Sequence, residues 1–99
     1  MTINETRNGE TLEIAVGGRL DAVTAPELEK AVEGIPADVT ELIIDMEKLE
    51  YISSAGLRVL LAASKKMTKT GAMRVRKVCD EIMEIFDMTG FTDILSIEE

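Results

Sequence analysis

Ser53 and Ser54 stand where an apolar, strand-like run gives way to an apolar helix, in the stretch Tyr51-Ile52-Ser53-Ser54-Ala55-Gly56-Leu57. A hydroxyl at such a junction is exposed and lies among the free backbone N–H groups of a first helical turn. Here its neighbours are only an alanine and a glycine, so another protein can approach closely. That setting suits a hydroxyl that is modified or recognised, not one that performs chemistry. A nucleophilic serine needs a base, and the chain has no histidine. Ser–His and Cys–His pairs are therefore excluded, as are His-ligated metal sites. A lysine or carboxylate base would have to replace histidine, and the local sequence offers none at helical spacing. Cys79 is followed by Asp80 and Glu81, whose charge disfavours a thiolate, so it reads as a small core or boundary residue. No catalytic residue, metal or cofactor is expected, and the chain reads as a non-enzyme.

The charge balance narrows the partners. Lys and Arg number 11 against 19 Asp and Glu, a formal charge of −8. Nucleic-acid binding needs clustered positive charge to displace counterions, and anionic membranes need the same, so neither is expected. A protein partner fits better. The N-terminal Met1-Thr2-Ile3-Asn4-Glu5 has neither the basic nor the apolar segment of a signal peptide. With a single cysteine, this points to a reducing compartment, the cytoplasm.

The elements that must carry the two serines follow from periodicity. With 99 residues and no linker or repeat, the chain reads as one domain over 1–99. Ile3 to Thr6 is a short edge strand, and Asn8-Gly9 turns it into a second. Thr11 to Val16 alternates, with Leu12, Ile14 and Val16 on one face, and Gly17-Gly18 should end it. Thr24 reads as the N-cap of a helix, with Pro26 in the first turn and Glu27 completing a capping box. Leu28, Ala31, Val32 and Ile35 form its apolar stripe, closed by Gly34 and Pro36. The run Leu42-Ile43-Ile44 in Glu41 to Met46 marks a central parallel strand buried on both faces. A loop over Glu47 to Tyr51 should lead to a second helix near Ser54, with Leu57, Leu60, Leu61, Ser64 and Met67 along one side. Lys65, Lys66 and Lys69 suit its C-terminal dipole. Met73 and Val75 alternate with Arg74 and Arg76 in a further strand. Asp80 is expected to cap a short helix holding Ile82, Ile85 and Phe86 and ending at Gly90. Ile94 to Ile97 forms a last short strand. Met67, Met73, Met83 and Met88 read as fillers of an aromatic-poor core. Strands alternate with helices after Gly18, which predicts α/β architecture: a mixed, mostly parallel sheet of four to five strands packed with three to four helices.

Four motifs together carry a resemblance. Gly18-Arg19-Leu20-Asp21 followed by Thr24, then Leu42-Ile43-Ile44-Asp45, then Ile52-Ser53-Ser54-Ala55-Gly56-Leu57, then Phe86-Asp87-Met88-Thr89-Gly90 are similar, in order and spacing, to the STAS domain. The branch most resembled is the bacterial anti-sigma factor antagonists, over nearly the whole chain. The resemblance implies partner switching in transcription. Such a protein binds an anti-sigma factor that is itself a serine kinase, releases a sigma factor, and is switched off by phosphorylation; a serine phosphatase resets it. Aligned on Gly56, the family's phosphoacceptor falls on Ser54, with Ser53 as the second candidate. Ser53 stands where the family usually has Asp, and Ala55 replaces a second hydroxyl residue. Asp21, Ser53, Ser54, Ala55, Gly56 and Arg58 are the partner-binding candidates. Asp21 and Asp45 are expected to end neighbouring strands on the side of the sheet that carries Ser54. The alternative is a STAS module that binds a nucleotide or small ligand as a sensor, although the chain has no Gly-rich phosphate loop.

Ser54 at the N-cap would accept a bond from a first-turn N–H, a role whose loss to alanine costs ~1 kcal/mol. Phosphorylation adds about −1.5 to −2 charges at neutral pH, which a helix N-terminus tolerates. The fold should survive modification, and the effect should fall on the partner interface.

Overall fold

The computed structural model describes residues 1–98. Five strands, β1 (Thr2–Asn8), β2 (Thr11–Leu20), β3 (Glu41–Ile52), β4 (Ala72–Arg76) and β5 (Ser96–Glu98), lie side by side in chain order. The hairpin β1–β2 is antiparallel, with Ile3 opposite Val16. The three remaining pairings are parallel. Helices α1 (Ala25–Glu33), α2 (Ser54–Met67) and α3 (Asp80–Thr89) form the parallel connections, and a 3-10 turn at Phe91–Asp93 leads into β5. The predicted mixed, mostly parallel sheet with helices packed on it is what the chain forms.

Sequential parallel strands joined by right-handed crossovers send every connecting helix to the same face. Burial agrees. Leu12, Ile14, Val16 and Leu20 of β2, Leu42, Ile44 and Met46 of β3, and Met73 and Val75 of β4 join Leu28, Leu57, Leu60, Ala63, Ile82 and Phe86 of the helices in one apolar core. The opposite face carries Glu13, Glu41, Asp45, Arg74 and Arg76 and is bare of helices. Ile43 is buried as expected from the unbroken Leu42-Ile43-Ile44 run, but on this bare face. Its register neighbours are Glu13 and Arg74, so charged stems cover it instead of a helix.

Two boundaries differ from expectation. Gly17-Gly18 does not end β2, which runs on to Leu20, where the chain returns to the core after the two glycines interrupt the alternation. Gly18 has φ +87, a backbone region that side chains disfavour, and it supplies a kink within the strand. The residues Glu47 to Tyr51 are strand, not loop: β3 continues to Ile52. Its pairing with β2 slips twice, between Ala15 and Gly17 and again between Gly18 and Arg19, and each slip gives β3 one extra residue. A slip of one turns side chains to the other face. Core positions on β3 therefore run Met46, Leu49, Ile52, spaced by three.

Cap chemistry also departs from the sequence reading. Thr24 occupies the N-cap of α1 but makes no side-chain cap bond. Its hydroxyl donates to the Arg19 carbonyl at 2.7 Å and accepts from the Asp21 N–H at 2.9 Å, so no capping box with Glu27 forms. Cys79, half-buried, is the N-cap of α3, and Asp80 is that helix's first residue. Lys65 and Lys66 stand in the last turn of α2 as expected, and Lys66 also serves the end of α1. Its ammonium donates to the carbonyls of Val32 (2.9 Å) and Glu33 (3.1 Å), satisfying orphan acceptors there. Leu61 and Ser64 are only half-buried, and Gly56, Val59 and Ala63 take their place on the packed face of α2. Met67 and Met73 fill the core as expected, whereas Met88 is 79% exposed.

Candidate functional site

The last paired residues of β2 and β3 are Leu20 and Ile52, both fully in the core. They fix where the next residues leave the sheet. Asp21 follows Leu20, Ser53 follows Ile52, and the Ser53 N–H donates to the Leu20 carbonyl at 2.9 Å. The β2–α1 turn and the start of α2 are thereby held together at one end of the sheet.

Ser53, in extended geometry (φ −101, ψ 177), is the N-cap of α2, so Ser54 is the first helical residue and not the cap. The Ser53 carbonyl accepts the Leu57 N–H, the first bond of the helix. No side-chain cap bond is made. The Ser53 Oγ is buried and has no hydrogen-bond partner among the described residues. Ser54 is exposed, Ala55 half-buried, Gly56 buried and Arg58 exposed. The N–H groups at the start of the helix face outward beside Ser54, an arrangement that favours an anion.

Gly56 is glycine because of contact, not torsion. A Cβ there would stand 2.6 Å from Leu20 Cγ and 2.9 Å from Ile52 Cγ1. The first turn of α2 therefore lies directly on the two strand-terminal core residues, and the position of Ser54 follows from that packing.

Asp21 is a turn residue. Its Oδ1 accepts the N–H groups of Val23 (3.0 Å) and Thr24 (3.1 Å), and Oδ2 lies 3.8 Å from Arg19 Nε. The Thr24 N–H foremost, with the Val23 N–H, the Thr24 hydroxyl and the Arg19 charge, holds its carboxyl below the usual carboxylate range, against the opposing effect of partial burial. Arg19 stacks on the Tyr51 ring at 4.2 Å, across the Arg19–Tyr51 register pair.

Asp21, Ser53, Ser54, Ala55, Gly56 and Arg58 thus gather at one end of the sheet. Asp45 does not join them. It sits in mid-β3 on the bare face, paired with Arg76 (3.3 Å) and Lys77 (3.8 Å), because β3 runs seven residues past it. Sequence reasoning missed the floor of the site. A groove of about 220 Å³ between α1 and α2 is lined by Ala22, Ala25, Pro26 and Glu29 on one side and Ala55, Arg58 and Val59 on the other. Val23, in the turn beside it, is 85% exposed. The available signal was a branched apolar residue inside the polar turn Asp21–Thr24. A second concavity, of about 210 Å³, lies on the bare face around Thr2, Asn4, Gly17, Asp45 and Lys48. Among the described residues no helix is long and apolar enough to cross a membrane, and no cluster of three or more His, Cys, Asp or Glu could hold a metal ion.

A sequence model described as the STAS domain matches residues 2–99. An anti-sigma-B factor antagonist of Staphylococcus aureus is 29% identical over 101 aligned positions, spanning 100% of this chain and 94% of that protein. The anti-sigma-B factor antagonist of Bacillus subtilis is 24% identical over 98 positions, covering 98% and 90%. The crystal structure of an anti-sigma factor antagonist from Mycobacterium paratuberculosis matches at TM-score 0.87 with 28% identity, over 97% of this chain and 83% of that one.

Proposed function

The chain belongs to the STAS domain family, and from that premise we propose that it is an anti-sigma factor antagonist, acting by binding and not by catalysis. In this reading its partner is an anti-sigma factor with serine-kinase activity, and binding it in the cytoplasm releases a sigma factor. The names of the S. aureus, B. subtilis and M. paratuberculosis relatives support the antagonist role. The observation that carries the switch is the exposure of Ser54 as first residue of α2, with Ala55 and Gly56 behind it and α1 across a groove.

The kinase transfers the γ-phosphoryl group of ATP to Ser54 Oγ. A phosphate-ester bond forms, the bond to ADP breaks, and the hydroxyl proton passes to a base supplied by the kinase. Ser53 is the poorer acceptor, since its Oγ is enclosed. The modified group is a dianion on a helix N-terminus, so the fold tolerates it. The interface does not. Asp21 and Glu29 already border the site, and the partner that accommodated a small hydroxyl now meets net negative charge. Complex formation is lost, and a serine phosphatase restores it.

Incubation with candidate serine-kinase anti-sigma factors and ATP, followed by mass-spectrometric mapping, tests the assignment. Phosphate on Ser54 is expected. Phosphate confined to Thr24 or Thr40 would overturn it, and saturable binding of labelled nucleotide by the isolated chain would favour a sensor.

A further inference from the structure

Two arginines flank the start of α2, and they differ in what they already hold. Arg19 is engaged: its guanidinium covers the Tyr51 ring and lies 3.8 Å from Asp21. Arg58 is exposed and has neither an ion-pair nor a hydrogen-bond partner among the described residues. It follows Ser54 by four residues on α2. Residues so spaced are neighbours on a helix surface, and each side chain leans toward the helix N-terminus. An arginine at this place therefore reaches back over the turn that carries Ser54. The pair also has the favourable polarity, anion N-terminal to cation.

We infer that Arg58 is the receiver of a phosphate on Ser54, an inference that rests on the phosphoacceptor reading above. The planar guanidinium offers two parallel N–H donors to phosphate oxygens, while first-turn N–H groups of α2 hold the same phosphate from the other side. The consequence for the switch is double. Modification adds a dianion to the interface and withdraws Arg58, the cation that borders the α1–α2 groove and has no ion pair among the described residues. Arg58 faces Glu29 across that groove with no ion pair between them, so the cation is free to turn to the phosphate. Unmodified, it is free to meet a carboxylate or phosphate of the partner.

The test uses the full chain with phosphoserine installed at position 54 during synthesis, so that no kinase is needed. Its second ionisation is followed by phosphorus NMR in the phosphorylated parent, R58Q, R58K and R19Q. The charged groups bordering the phosphate, Asp21, Glu29 and Arg19, are present in the first three proteins. The parent should titrate lower than R58Q by about half a unit, with R58K between them. R19Q should match the parent. Circular dichroism confirms that each variant is folded, which an exposed substitution allows. Equal values in the parent and R58Q, or an equally large rise in R19Q, would overturn the assignment. If the kinase experiment marks another residue while the half-unit difference persists, the pairing stands and only the switch reading falls.

Discussion

The bare face of the sheet and the start of α2 handle polar groups in opposite ways. On the bare face, Arg74 bridges Glu41 and Glu98 at 3.0 and 2.9 Å, and Arg76 bridges Glu13 and Asp45. Two cations thus tie four carboxylates across β2, β3, β4 and β5, leaving Arg74 Nε as a nitrogen without a partner among the described residues. At the start of α2 the Ser53 Oγ and the Arg58 guanidinium have none, and Ser54 stands in the open. Charges that answer one another inside the chain have little attraction left for a visitor. Those left unanswered at a rigid edge remain available. The difference separates a surface that maintains the fold from the one proposed above to signal.

The sharpest way to break this contrast is Ser54→Asp. Placing a carboxylate there should weaken binding to the anti-sigma kinase by two to three decades, about 3–4 kcal/mol, with the melting temperature nearly unchanged. Isothermal titration and a thermal melt read the two halves. Tight binding by the variant would remove the signalling role from this end. Gly56→Ala comes next. Its Cβ must displace Leu20 or Ile52, which costs about 1–3 kcal/mol, partly offset by the helix preference of alanine. Chemical denaturation should show a net loss of about 1–2 kcal/mol, and partner affinity should fall as well, because the turn carrying Ser54 rests on those side chains.

The bare face should respond the other way. Asp45→Asn breaks pairs with Arg76 and Lys77 at a partly buried carboxylate. A loss of about 1 kcal/mol in stability is expected, smaller in high salt, with partner affinity intact. A fall in affinity would show that the sheet face also takes part. The smallest effect concerns Asp21. Its folded pKa lies below the unfolded value, so its contribution is complete above the ordinary carboxylate range and fades as the pH drops through the folded value. Asp21→Asn should lower stability slightly at neutral pH and flatten the acid limb of a stability–pH curve, the two proteins converging as the pH falls below about 4.

Much of this was legible in the chain. Period-two alternation in Thr11 to Val16 and Met73 to Arg76, the contiguous Leu42-Ile43-Ile44, and the Gly90 stop at α3 each express a local rule that the tertiary structure left in force. Failures came where two strands had to agree. Met46, Leu49 and Ile52 recur by three, a spacing that belongs to no flat strand and reads as loop until the slips against β2 are known. Asp45 was misplaced for the same reason, since a strand thought to end there runs on to Ile52. Thr24 and Ser54 were given cap bonds by residue type, yet in the β2–α1 turn the Asp21 N–H and the Arg19 carbonyl claimed the Thr24 hydroxyl, and the cap position of α2 fell one residue earlier, on Ser53. The serine pair itself was visible as a hydroxyl doublet at a strand-to-helix junction. The α1–α2 groove was not, because Pro26, Glu29 and Val59 become neighbours only through the crossover.

The paired slips in β3 bear on how such a chain can change. One extra residue would send Ile52 toward water and swing the start of α2 away from the core; the second reverses that, and Leu20 and Ile52 end side by side on the packed face. Parity, not length, is what the ribbon between Met46 and Ile52 must preserve. Insertions or deletions there are tolerable in twos, whereas a single one would turn the Ser54 hydroxyl out of its place while leaving every other strand correctly paired.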